Sequence, residues 1–139
     1  MKYLKMFNES NEVLYREIDK NELLSLIDSH KPCDLEKRWE SKLFEWFKSN
    51  NISFNRRLMT KLSCFNGGGD VNFNGVEGLS CVTNKYINCV FAEVCFITQL
   101  DDDWFILLGC LYLSGKPKIF HYYECDQYEG LIQLMGSFK

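Results

Sequence analysis

The sequence predicts an α+β protein in which an antiparallel sheet packs against two to three helices. Three apolar runs rich in β-branched and aromatic residues, at 88–100, 103–113 and 117–125, are separated only by short polar turns. Short connections make neighbouring strands antiparallel, so these runs read as a C-terminal three-stranded meander. Upstream, residues 34–49 repeat large apolar side chains at helical spacing. With 139 residues, 46% of them apolar and 15% aromatic, the chain can fill one core but not two, and 1–139 reads as a single globular domain.

Taken in order, KYLKMF (2–7) and EVLYREI (12–18) flank the polar NESN and predict an N-terminal hairpin. Asp19 then opens D-K-N-E, in which its carboxylate caps the amides of the next turn while Glu22 reaches back, so a helix starts there. Leu23, Leu26 and Ile27 give that helix its buried side, and His30 sits near its end, where a polar or positive group eases the exposed carbonyls. In 34–49, Leu35, Trp39, Leu43, Trp46 and Phe47 form one stripe, which a domain this small needs for its core more than for a partner groove. Asn50 and Asn51 end the helix. Residues 52–65 are compatible with strand or helix.

The stretch NGGGDVNFNGVEG (66–78) is the one Gly-rich segment. A phosphate loop needs Gly-Lys-Ser/Thr at a helix start, whereas Asp70 follows the glycines here and would repel an anion. The dinucleotide pattern also lacks its surrounding βαβ unit. A mobile loop or irregular hairpin is the expected structure. In 88–100, Val90, Ala92, Val94 and Phe96 alternate with Cys89, Phe91, Glu93 and Cys95, so both sheet faces are largely apolar and something must cover each.

The closing segment places His121 and Cys125 four residues apart beside Asp126. In a strand His121, Tyr123 and Cys125 share a face, but extension separates His121 from Cys125 by roughly 13 Å. A cysteine nucleophile and its histidine base must approach to about 3 Å, so the two do not pair within this strand. Asp126 is expected to cap a last helix with Glu129 at its third position, Tyr128, Leu131, Ile132 and Met135 on its buried face, and Gly136 at its end.

Seven cysteines (Cys33, Cys64, Cys81, Cys89, Cys95, Cys110 and Cys125) are scattered with no CxxC pair, which disfavours zinc and thioredoxin-like chemistry and points to reduced, buried thiols. No motif calls for a cofactor, and the calcium-loop pattern is absent from the acidic run Asp101, Asp102, Asp103. A net charge of −3 offers no general attraction to nucleic acid or an anionic membrane, and Arg56, Arg57 and Lys61 are too few for a nucleic-acid patch. No run approaches the ~18 apolar residues of a membrane span, and MKYLKMFNESNE lacks the apolar core of a signal peptide, so a soluble cytoplasmic protein is expected. A turn with three carboxylates beside Trp104 suits a basic partner, charge steering the approach and the aromatic supplying burial.

The stretch DDDWFILLGCLYLSGKPKIFHYYECDQYEGLIQLM, with its D-W-F opening and Y-Y-x-C-D-Q-x-E-G-L close, resembles the C-terminal part of small uncharacterised proteins of bacteria and their phages. In size, acidity and α+β layout the chain is also similar to the immunity proteins of polymorphic toxin systems, including contact-dependent growth inhibition. That similarity transfers no functional position. It implies a non-enzymatic inhibitor that binds a cognate basic toxin, with a nuclease as the favoured class, and here Asp101, Asp102, Asp103 and Trp104 would form the partner-binding site. The alternatives are a small enzyme with a Cys/His pair assembled from distant segments, or a phage or host accessory adaptor.

Overall fold

The computed structural model describes residues 12–64, 69–85, 92–101, 103–113 and 116–137. Along the chain come β1 (Tyr15–Ile18), α1 (Lys20–His30), α2 (Lys37–Ser49), β2 (Phe54–Cys64), β3 (Asp70–Lys85), β4 (Ala92–Asp101), β5 (Trp104–Leu113), β6 (Lys116–Cys125) and α3 (Tyr128–Gly136). The α+β class is as the sequence predicts, and β4, β5 and β6 form the expected antiparallel meander. The sheet is larger than the sequence suggests, with six strands among the described residues. The ambiguous residues 52–65 supply β2, and of the stretch 66–78, expected as a mobile loop or an irregular hairpin, residues 70–78 form the first half of β3, which pairs antiparallel with β2 as an irregular hairpin. The first arm of the N-terminal hairpin, 2–7, lies outside the described residues; its second arm contributes β1, which pairs with β6.

The strands run β1-β6-β2-β3-β4-β5, and β6 also pairs with β5. Strands β2 to β6 therefore form a closed ring. Its closing contact is short and parallel, Ser63 opposite Lys118 and Cys64 opposite Ile119. Such closure needs bent strands, and bulges supply the bends. Register shifts occur between Met59 and Lys61, Val82 and Asn84, Gln99 and Asp101, and Gly109 and Cys110. At the first of these, Thr60 faces a three-residue excursion of β3 in which Asn74 (φ 57°) and Gly75 (φ 74°) turn left-handed. Glycine takes that conformation without a Cβ penalty. The Gly-rich stretch thus bends a strand that continues beyond it.

Closure explains why both faces are apolar. Met59, Leu62, Cys64, Val71, Phe73, Val76, Phe96, Ile106, Leu108, Ile119 and Tyr122, drawn from all five ring strands, form one cluster with Leu23 of α1. The opposite face carries Leu79, Cys81, Cys95, Ile97, Phe105, Leu107 and Cys125, covered by Leu43 and Phe47 of α2 and Leu131, Leu134 and Met135 of α3. The tryptophan stripe is core, as expected, with Trp39 and Trp46 half-buried against this second cluster.

Helix ends follow sequence chemistry with one exception. Asp19 Oδ1 accepts from the Glu22 amide at 2.8 Å and Glu22 Oε1 from the Asp19 amide at 3.3 Å, the expected capping box of α1. Asn50 closes α2. The expected Asp126 cap of α3 is wrong: Gln127 occupies the cap position and makes no side-chain cap bond. The Asp126 amide instead donates to Leu14 O at 3.0 Å, so its backbone secures the chain leading into β1 while its carboxylate stays exposed.

Candidate partner-binding surface

The acidic run sits where the sequence places it, at the β4–β5 turn. Asp101 ends β4 opposite Trp104, which opens β5, leaving Asp102 and Asp103 as the connection. Asp103 is half-buried, and Asp102 lies outside the described residues. The α1–α2 connection anchors the end of β4. The Cys33 amide donates to Gln99 O at 2.9 Å, Thr98 Oγ1 donates to Cys33 O at 2.9 Å, and Gln99 Oε1 accepts from the Glu36 amide at 3.0 Å. Thr98 and Gln99 are fully buried, and these bonds satisfy them.

Trp104 is not a protruding aromatic. Its indole packs edge-on to His30 with ring centroids 4.5 Å apart and leans on the cluster inside the ring. It also lines a cavity of about 410 Å³ together with Glu12, Val13, Leu14, Tyr15, Arg16, Glu124 and Asp126. The cavity holds three carboxylates and one guanidinium. Arg16 is committed internally: its Nη1 meets Glu22 Oε2 at 2.8 Å and its Nε meets Glu124 Oε1 at 2.8 Å. The hydrogen bonds it donates to Glu22 and then to Glu124 raise its pKa above the ordinary value, so it stays charged and fixed. Glu12 and Asp126 are exposed at the cavity and leave it acidic.

The outer wall of this cavity is built by a close backbone approach. The segment 12–14 runs over α3, where Gln133 Oε1 accepts from the Leu14 amide at 2.9 Å and Gln133 Nε2 donates to Glu12 O at 3.0 Å. Gly130 makes room, since a Cβ there would stand 2.2 Å from Leu14 O. Two further cavities adjoin along α1, sharing Arg16 or Glu22 and adding Glu17, Asp19 and His121.

Of the residues singled out from the sequence, Trp104 lines this cavity; Glu12, Arg16, Glu124 and Asp126 were not singled out as partner-binding residues. Their assembly depends on Arg16 lying opposite Glu124 in the β1–β6 register, a long-range pairing with no local signature. The basic trio is largely spoken for: Arg56 Nη2 and Nε meet Glu40 at 2.7 and 3.1 Å, and Lys61 Nζ meets Asp70 Oδ2 at 3.1 Å.

The cysteines are mostly interior. Cys64, Cys81, Cys95 and Cys125 are free and buried, whereas Cys33 is exposed, contrary to the expectation of uniform burial. Its thiol points at the Gln99 and Leu100 carbonyls, 3.6 and 3.7 Å away. Burial, then the charge of Glu124, pushes the Cys125 thiol up to about 12, so it stays protonated at neutral pH. His121, on the same strand, stacks obliquely on Tyr123 at 5.8 Å. Cys89 lies outside the described residues. Among the described residues no group of three or more His, Cys, Asp or Glu side chains is placed to hold a metal ion, and no helix is long and apolar enough to cross a membrane.

No family model, curated protein or solved structure matches this chain. The surface must be read from its own chemistry.

Proposed function

We propose that the protein is a cytoplasmic inhibitor of the immunity type, which neutralises a basic protein toxin, foremost a nuclease, by direct binding and performs no chemistry itself. The observation that carries the reading is the acidic cavity lined by Trp104, the residue that follows Asp101, Asp102 and Asp103 in the chain. A lysine or arginine of the partner entering it would find the exposed carboxylates of Glu12 and Asp126 and the indole of Trp104. The surrounding carboxylates steer a cationic surface toward the same place.

The test begins with capture of the tagged protein together with products of neighbouring genes and mass spectrometry of what is retained. One stoichiometric basic protein, toxic when expressed alone, is the expected result. Association of that partner is then followed for Asp101→Lys/Asp102→Lys/Asp103→Lys and for Glu12→Lys/Asp126→Lys. Each variant should slow association by roughly tenfold or more and flatten its salt dependence. Unchanged rates in both would remove this surface, and an enzymatic substrate turned over by the purified chain would remove the inhibitor reading altogether. The cysteine-enzyme alternative draws its remaining support from the exposed Cys33.

A further inference from the structure

Cys81 of β3 and Cys95 of β4 are direct partners in the antiparallel register, and both side chains project into the cluster beneath α2. Opposed residues in such a ladder keep their Cα atoms about 4.5–5.5 Å apart, inside the span of about 4.4–6.8 Å that a disulfide bridges. The Cys95 thiol is the principal polar neighbour of the Cys81 thiol. A cross-link here needs rotation of two side chains and no movement of a strand. The other cysteines described as buried do not compete: Cys125 lies on β6, two strands from β4, and Cys64 belongs to the cluster on the other face of the sheet.

We propose that Cys81 and Cys95 form a redox-convertible pair, a modification site at which a peroxide installs a cross-strand disulfide that a thiol reductant removes. One cysteine, as thiolate, attacks a peroxide oxygen; the O–O bond breaks, water leaves after protonation, and a sulfenic acid remains. The sulfur of the second thiol displaces the hydroxyl as water, giving the S–S bond. In sum two thiols lose two electrons and two protons, and one hydrogen peroxide is reduced to two waters. Both residues are 1% exposed, and the neighbouring Cys95 thiol, then burial, pushes the Cys81 thiol up. Oxidation therefore proceeds from the fraction of molecules in which α2 has lifted from the sheet, and its rate reports that opening.

The test uses the full chain carrying Cys33→Ser, which removes the exposed competitor. After hydrogen peroxide treatment under native conditions, free thiols are blocked in denaturant and the protein is digested without reductant. The expected result is an intact mass lower by two hydrogens and one linked peptide pair joining Cys81 to Cys95. A thiol reductant should restore the starting mass. Closing a loop of this length should also raise the melting temperature by roughly 5–10 °C. Recovery of Cys81 and Cys95 as blocked free thiols, or a dominant linkage to another cysteine, would overturn the proposal.

Discussion

Gly130→Ala probes the construction of the acidic cavity most directly. An alanine Cβ would lie 2.2 Å from Leu14 O, 2.8 Å from Leu14 C and 2.9 Å from Leu14 Cβ. Two of these three atoms are backbone, so no rotamer change relieves the overlap, and either α3 or the 12–14 segment must move. That segment is held by three hydrogen bonds: two to Gln133 at 2.9 and 3.0 Å and one from the Asp126 amide at 3.0 Å. At about 0.5–1.5 kcal/mol each, their loss costs roughly 1.5–4.5 kcal/mol. Alanine returns about 1 kcal/mol of helix propensity. The net expectation is a loss of about 1–3 kcal/mol in denaturant unfolding. Gln133→Ala, which removes two of the bonds without a clash, should lose roughly 1–3 kcal/mol. A Gly130→Ala protein more stable than the parent by about 1 kcal/mol would show that the segment does not rest on α3, and the cavity wall would go with it.

Asp19→Ala should cost about 1 kcal/mol by removing the capping box, measured as a shift in the denaturation midpoint, while Asp126→Ala, whose carboxylate caps nothing, should be near neutral. Among the five described free cysteines, Cys33 should alkylate in seconds to minutes under conditions where the other four wait for unfolding, as peptide mapping over time would reveal. Asp70 has its pKa lowered from the ordinary 3.8 by its hydrogen bonds to Lys61 and then Ser63. Its stabilising contribution is therefore present above the unfolded value and is lost as pH falls through the lowered folded value. Asp70→Asn should remove it at neutral pH and flatten the decline of stability below about pH 4; an unchanged acid limb would deny the contact any role.

The legible parts of the fold were those written in local chemistry. The D-K-N-E cap of α1, the apolar stripe of α2 and the β4–β6 runs with their polar turns each depend on residues close together in the chain, so the sequence resolved them. Ring closure did not, because it rests on two residue pairs joining Ser63 and Cys64 to Lys118 and Ile119, more than fifty positions away. The glycines of 66–78 left a mobile loop and an irregular hairpin both open, because a left-handed bend inside a long strand and a loop share the same residue types. Asp126 misled in a similar way: aspartate before a helix is the usual cap, but here the backbone of that residue is claimed by Leu14. Half of the candidate surface was visible as an acidic turn. The other half required knowing that β1 lies beside β6.

The ring also bears on how this chain survives its own synthesis. Segments such as CVFAEVCFITQL and WFILLGCLYL combine high strand propensity with almost no charge, the composition of aggregation-prone strands. In the finished protein β4 and β5 each have a partner on both sides. During translation they leave the ribosome before β6, so an open β5 edge stands ready to pair with another nascent chain until the last strand arrives. Truncation within β6 should therefore produce insoluble protein rather than a smaller domain, which makes the arrival of β6 the step on which the yield of the folded ring depends.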